Sequence, residues 1–148
     1  MHRKVAAAFV AALVLGAAGC GGAEPLTRAQ LVRRIETACA DGKRTSQRQL
    51  RSARGSSGDA QRRFIAAIVA GQHVIVDGIE DLEPPDGSKS SFEAFKQALT
   101  ERTDLFDRLQ SGSAAEVRRA ISEVQPETER LTRRLTEAAR RLSVEGCV

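Results

Sequence analysis

The sequence predicts an all-α protein whose mature part is an antiparallel four-helix bundle stapled by one disulfide. In four segments between residues 27 and 148, apolar residues recur every three or four positions, which is the spacing of one helix face. Breaks rich in glycine, serine or proline separate these segments. No segment shows the alternation of apolar and polar residues that is typical of strands. Residues 27–148 are therefore predicted to form one helical domain.

Residues 1–19 have the pattern of a signal peptide. Arg3 and Lys4 precede an uncharged stretch from Val5 to Leu15, and a run of small residues follows. The uncharged stretch is shorter than the roughly 20 apolar residues that a stable membrane span needs. We therefore expect the chain to be exported from the cytoplasm.

The motif Ala17-Ala18-Gly19-Cys20 resembles the bacterial lipobox, with alanine where leucine is usual at the first position. The resemblance implies that a diacylglycerol is attached to Cys20 and that the leader is cleaved just before it. Residues 20–26 would then be a lipidated cysteine and a short tether, and the protein would lie on the outer face of the cell membrane. The alternative is ordinary cleavage after Ala23, which would give a secreted soluble protein without Cys20.

Cysteine parity predicts one disulfide. The chain has three cysteines, and an odd thiol in an exported protein needs an explanation. Whether Cys20 carries lipid or is removed, Cys39 and Cys147 remain, and an oxidising compartment favours their bond. The alternative is two unpaired thiols.

The charge of the mature chain argues against a nucleic-acid partner. Removal of Arg3 and Lys4 lowers the number of lysines and arginines from 23 to 21 against 19 acids, which leaves a net charge of +2. Binding to nucleic acid usually requires a much stronger basic bias. The mature chain has no tryptophan or tyrosine, which also disfavours stacked recognition of bases or sugars.

The first two helices have distinct boundaries. A capping box formed by Thr27 and Gln30 opens the first helix, whose apolar face is marked by Leu31, Ile35, Ala38 and Cys39. This helix becomes polar toward the break at residues 55–58.

Asp59 caps the second helix, which is the most apolar and is expected at the centre of the bundle. The apolar stripe of the second helix is Ile65, Ile68, Gln72, Ile75, Ile79 and Leu82, and the helix stops at Glu83-Pro84-Pro85.

The last two helices are predicted from residue 88 onward. The third begins between Ser88 and Ser91, ends at residues 111–113, and carries Phe92, Phe95, Leu99, Phe106 and Leu109. Ser113 and Glu116 form a capping box for the fourth helix. Its stripe continues through Pro126, so we expect one long helix kinked there. The stripe consists of Val117, Ile121, Val124, Thr128, Leu131, Leu135, Ala138 and Leu142.

Three features together resemble a group of small exported, often lipid-anchored helical proteins of actinobacteria. These features are Leu26-Thr27 with a first helix that ends in Cys39, the Leu82-Glu83-Pro84-Pro85 turn, and Cys147 just after the last helix. They span nearly all of the mature chain, and only their combination is moderately specific. The role of that group is undefined, so the resemblance implies a fold, a disulfide and a location but no activity.

The sequence contains no recognisable catalytic or cofactor motif. His73, the one histidine of the mature chain, has only Val69, Val76 and Asp77 one turn away, so we interpret it as a partly exposed helix residue rather than a base or metal ligand. Five acids surround the double proline and could hold calcium weakly, but their spacing is not that of an EF-hand, and a solvated helix end is preferred. These acids are Asp77, Glu80, Asp81, Glu83 and Asp86. We expect no metal and no cofactor.

One stretch of the chain is a candidate basic surface. Such a surface could meet anionic lipid headgroups, an acidic wall polymer or an envelope protein. The preferred interpretation is that cations of one helix face acids of another and keep the bundle soluble. The basic residues are Lys43, Arg44, Arg48, Arg51, Arg54, Arg62 and Arg63.

The sequence as a whole predicts a non-catalytic, membrane-tethered lipoprotein of the cell envelope that acts as an interaction or structural module. One alternative is a carrier of small molecules or lipids, with a pocket between the second and third helices lined by Ile68, Ile75, Phe95 and Leu99. In a bundle of this size, such residues more often form a closed core. The least favoured alternative is an envelope hydrolase, because no nucleophile and base occur as a set.

Overall fold

The computed structural model describes residues 26–52, 60–110 and 114–147 as a bundle of four α-helices. The helices are α1 (Arg28–Ser52), α2 (Ala60–Ile79), α3 (Asp86–Gln110) and α4 (Ala114–Leu142). No strand occurs within these ranges, so the predicted all-α class is confirmed. Some of the residues singled out from the sequence lie outside the described residues: the leader, Cys20, Arg54, Asp59 and Ser113. In the described part of the chain, no helix is both long enough and apolar enough to cross a membrane.

The capping box predicted at the start of α1 is confirmed. The amide of Thr27 donates to Gln30 Oε1 at 2.8 Å, and the amide of Gln30 donates to Thr27 Oγ1 at 3.3 Å. These bonds satisfy two amides that lack partners within the helix. The start of α1 is also tied to the turn after α2, because the amide of Leu26 donates to the carbonyl of Glu83 at 3.2 Å.

Helix α3 begins earlier than the sequence pattern predicts. Its first residue is Asp86, whereas the expected start was Ser88 or later. The amide of Ser88 donates to the carbonyl of Pro85 at 2.8 Å, which closes the first turn directly after the double proline. Asp86 is the first helical residue, and it places a negative charge at the helix N-terminus, where such a charge is favourable.

Helix α4 runs through Pro126 as a single helix and ends in a Schellman motif. The amide of Ser143 donates to the carbonyl of Arg140 at 3.0 Å, and the amide of Val144 donates to the carbonyl of Ala139 at 2.9 Å. Ser143 adopts φ 65°, the left-handed conformation that usually falls to glycine at this position. This turn reverses the chain and buries Val144 against the core.

Replacing Ser143 with glycine is expected to stabilise the protein by up to about 1 kcal/mol, because glycine adopts a positive φ without the steric cost of a Cβ atom. The free energy of unfolding in denaturant measures this gain. Ser122→Gly is the matched control, because Ser122 is exposed inside α4 and glycine there should cost about 0.5–1 kcal/mol. Destabilisation of both variants would contradict the interpretation of the turn.

The main hydrophobic core draws side chains from all four helices. Its largest fully buried members are Leu31, Ile35, Ile79, Phe92, Phe95, Leu99, Leu135 and Leu142. A smaller cluster contains Ile65, Val69 and Leu109, with Phe106, Ala120, Ile121 and Val124 packed against it. Helix α2 packs mainly against α1 and less extensively against α3, and it touches α4 only marginally.

One end of the bundle gathers the start of α1, the turn after α2 and the end of α4. Leu26 is bonded to Glu83, and the Arg28 guanidinium donates to the Arg141 carbonyl at 3.2 Å and lies 3.4 Å from Ser143 Oγ. We call this the tether end, because the described chain enters the bundle here. The second half of α1 and the first half of α2 lie farther from it.

Candidate functional site

The disulfide joins α1 to the segment after α4. Cys39 and Cys147 are bonded, with their Cα atoms 5.2 Å apart and 108 positions apart in sequence. The predicted pairing is therefore confirmed. Because the Schellman turn at Ser143 reverses the chain, Cys147 reaches Cys39 on the inner face of α1, where Cys39 is buried.

A cavity of about 260 Å³ lies beside this disulfide and is open to solvent. Both cysteines line it, together with one residue of α3, Arg102. The residues from α1 and α2 that line it are Gly42, Lys43, Ser46, Ile68, Gly71, Gln72 and Ile75. No aspartate or glutamate of the described residues is among its lining residues.

Two glycines bring α1 and α2 into close contact at this cavity. A Cβ atom added to Gly71 would lie 2.6 Å from the Gly42 carbonyl oxygen and would also collide with Ser46 Oγ. A Cβ atom added to Gly42 would collide with the Gly71 carbonyl oxygen and would lie 2.5 Å from Ile75 Cγ1. The backbones can therefore approach this closely only with glycine at both positions.

Arg102 is a half-buried cation without a compensating acid among the described residues. Its Nε atom is shielded from solvent and has no hydrogen-bond partner in the structure as described. Removal from water lowers the pKa of the Arg102 guanidinium from its ordinary value, because burial penalises the charged form. Arginine nevertheless stays protonated in proteins, so a positive charge lines the cavity together with that of Lys43.

Sequence reasoning missed Arg102, although a signal was present. The apolar stripe of α3 runs through Phe95, Leu99, Phe106 and Leu109, and Arg102 falls between Leu99 and Phe106 at the same spacing of three and four. An arginine on the buried stripe of a helix is unusual, because charged residues are almost never fully buried unless they are paired.

A buried polar contact adjoins the cavity. Thr103 Oγ1 lies 3.1 Å from Gln72 Oε1 and 2.9 Å from the Leu99 carbonyl oxygen. Both Thr103 and Gln72 are buried, and Gln72 also lines the cavity. The side chain of Gln72 is thus positioned from α3, and it brings a polar amide to the cavity wall.

His73 does not belong to this cavity. Its Nε2 lies 2.9 Å from Asp107 Oδ2 on α3, and both side chains are partly exposed. Asp107 Oδ1 also accepts a hydrogen bond of 3.2 Å from Gln110 Nε2. Helical spacing identifies only the neighbours of His73 on α2. It therefore could not indicate a partner on α3. None of the described cavities has His73 in its lining.

The four residues predicted to line a carrier pocket do not all line one of the described cavities. Phe95 and Leu99 are buried in the main core, and Ile75 packs against that core and also lines the cavity beside the disulfide. Ile68 lines the same cavity. That cavity lies mainly between α1 and α2 and carries two cations. Its chemistry therefore differs from the apolar pocket that the sequence suggested.

Five members of the predicted basic surface are exposed: Lys43, Arg44, Arg48, Arg51 and Arg62. Arg63 is half-buried, and Arg54 lies outside the described residues. Arg44 pairs with Asp41 on the same helix, and an Arg48 nitrogen lies 3.2 Å from Thr45 Oγ1. Most ion pairs that the structure gives for the described residues join neighbours on one helix. The pair Arg134–Glu101, at 2.6 Å, does join α4 to α3.

The five acids around the double proline are all exposed. The carbonyl of Glu80 accepts a bond of 2.9 Å from Lys96 Nζ, which ties this turn to α3. Within the described ranges, no group of three histidine, cysteine, aspartate or glutamate residues is arranged to hold a metal ion.

Comparisons with protein-family models, curated proteins and solved structures found no match to this chain.

Proposed function

We propose that this protein is an exported, lipid-anchored module of the cell envelope that acts by binding or supporting a partner rather than by catalysis. The observation that carries the proposal is the pairing of Cys39 with Cys147. A disulfide that closes nearly the whole domain suits an oxidising compartment outside the cytoplasm. It also leaves Cys20, in its lipobox-like motif, as the one cysteine that needs another role.

The position of Leu26 supports a short tether. Leu26 is six positions after Cys20, and six residue steps of an extended chain span roughly 20 Å at about 3.3 Å each. The bond between Leu26 and Glu83 fixes the tether end of the bundle. A lipid on Cys20 would hold that end close to the bilayer surface.

The basic surface would then point away from the anchor. Lys43 is 15 positions beyond the first residue of α1, which corresponds to about 22 Å at 1.5 Å per residue. Charge interactions in physiological salt fall off over about 8 Å. When the bundle stands upright on its tether, an acidic wall polymer or an envelope protein is therefore a better partner for this surface than the lipid headgroups.

Two finer features of the fold belong to the same proposal: an antiparallel order of the helices and a bend at Pro126. Close approaches of Gly42 to Gly71 and of Gly78 to Ala38 support opposite directions for α1 and α2. Pro126 lacks the amide that would bond the carbonyl four residues earlier, and its ring crowds that carbonyl. The likeness to exported actinobacterial helical proteins supports the same arrangement and location.

Intact-mass analysis of the membrane fraction tests the anchor. We expect a chain that begins at Cys20 and carries the mass of a diacylglycerol, with or without an added N-acyl chain. Cys20→Ser should abolish the lipid mass and leave the leader uncleaved, because cleavage and lipidation both depend on this cysteine. A wild-type species that starts at Glu24 and is recovered in the soluble fraction would overturn the proposal.

Cys147→Ser serves as the matched control for that experiment. It removes a cysteine too, but it should leave the lipid mass and the membrane location unchanged. The same spectra, recorded with and without reductant and alkylation, report whether Cys39 is bonded.

A further inference from the structure

Arg102 presents a charge that the fold does not neutralise. Arg102 lies on the apolar stripe of α3 and lines the cavity that α1, α2 and the disulfide also line. A cation taken out of water is costly unless an opposite charge or full hydrogen bonding compensates it. Across the described residues, Arg102 forms no ion pair, and its Nε has no hydrogen-bond partner.

The cavity reinforces this charge. Lys43 on α1 adds a second cation to the lining, and no described carboxylate lines it. Ser46 brings a hydroxyl group and Gln72 a side-chain amide. These four side chains come from three different helices. An oxyanion is bound by hydrogen-bond donors of this kind, namely cations, hydroxyl groups and amides.

We propose that the cavity beside the Cys39–Cys147 disulfide binds a small soluble oxyanion, through its phosphate or carboxylate group, with Arg102 as the principal donor and Lys43 as the second cation. A guanidinium matches both groups because its planar fork of N–H donors can bind two oxygens at once. The volume of about 260 Å³ holds several water molecules, at about 30 Å³ each. It is smaller than most drug-sized pockets.

The position of the cavity favours a ligand from solution. Gly42 is 14 positions beyond the first residue of α1, which places the cavity wall about 21 Å from the tether end. A headgroup of the membrane that holds the tether is therefore remote from it in an upright bundle. The site depends on α1, α2, α3 and the disulfide, so its ligand binding holds whether or not Cys20 is lipidated.

A titration with inorganic phosphate, and separately with acetate, tests the site. The exported protein is used as its host processes it, with chloride adjusted so that the ionic strength stays constant, because salt screens nonspecific attraction. The backbone amide NMR signals of Gly42, Gly71 and Gln72, which line the cavity and are unchanged in every variant below, report on the binding. We expect them to shift in a saturable manner with at least one of the two anions, and the arm that saturates at lower concentration identifies the preferred group.

Variants separate a built site from general attraction to a basic protein. Arg102→Met should weaken anion binding at least about tenfold, because the principal charge-assisted donor is lost. Arg102→Lys should give an intermediate loss, since it keeps the charge and loses the fork. Arg133→Met is the matched control: Arg133 is exposed on α4, and its replacement should leave the affinity unchanged.

If Arg102→Met fails to fold, two other variants, Lys43→Met and Ser46→Ala, test the same cavity. Both residues lie on α1 at the cavity, and each replacement should weaken binding several-fold while the helical circular dichroism stays unchanged. Absence of a saturable shift in the wild-type protein with either anion would overturn the proposal. An equal loss of affinity in Arg133→Met and Arg102→Met would also overturn it.

Discussion

Removal of the disulfide is expected to destabilise this protein by about 4 kcal/mol. The bond links residues 108 positions apart, and a crosslink that closes a loop of about 100 residues is assigned about 4–5 kcal/mol by the chain-entropy model. Small domains have only about 5–15 kcal/mol of stability in total. The double variant Cys39→Ala/Cys147→Ala should therefore unfold at a much lower denaturant concentration than the wild type.

Reduction provides the control for that result. A reductant should destabilise the wild-type protein by about as much as the double substitution does, and it should leave the double variant unchanged. Because Cys39 is buried, part of the loss in the variant could come from altered packing, and the reduced wild type separates this part from the crosslink. A loss below about 1 kcal/mol in both experiments would show that the staple contributes little, against the chain-entropy model.

Replacing Gly71 with alanine is expected to cost about 2 kcal/mol, within the range of about 1–3 kcal/mol for overpacking. The new Cβ atom would meet the Gly42 carbonyl oxygen at 2.6 Å. A side chain could rotate away, but a backbone carbonyl on a neighbouring helix moves only when the helices separate. This cost should outweigh the gain of about 1 kcal/mol that alanine normally brings to a helix.

Gly87→Ala is the matched control for Gly71→Ala. Gly87 lies in α3, and an added Cβ atom there meets no other atom within 4 Å. The substitution should therefore stabilise the protein by about 0.5–1 kcal/mol. Denaturant unfolding of both variants tests the close approach of α1 and α2, and changes of the same sign would contradict it.

Local patterns carried most of the information about the helices. The Thr27–Gln30 capping box acts within four residues, so it could be recognised from sequence and is confirmed by its hydrogen bonds. The sequence pattern predicts a start of α3 between Ser88 and Ser91, because serine is a common N-cap residue. The helix begins earlier, at Asp86, where the bond from Ser88 to Pro85 closes the first turn. Ser143 in a left-handed turn was not foreseen, since glycine is the usual signal for it.

The candidate site was much less predictable. Lys43 was recognised only as one cation of an exposed surface, and Arg102 was not singled out. Their relation depends on which faces of α1, α2 and α3 meet, and periodicity within one helix does not determine that. The partner of His73 was missed for the same reason, because Asp107 lies on another helix.

The sequence by itself determined the all-α class, the approximate helix boundaries and the Cys39–Cys147 pairing. These features depend on local hydrogen bonding, on the period of a single helix face and on the number of cysteines. Only the tertiary structure decided that Gly42 and Gly71 bring α1 and α2 together, and that Arg102 and Lys43 line one cavity beside the disulfide. The physical reason is that a cavity and its electrostatics arise from the distances between helices, which packing sets.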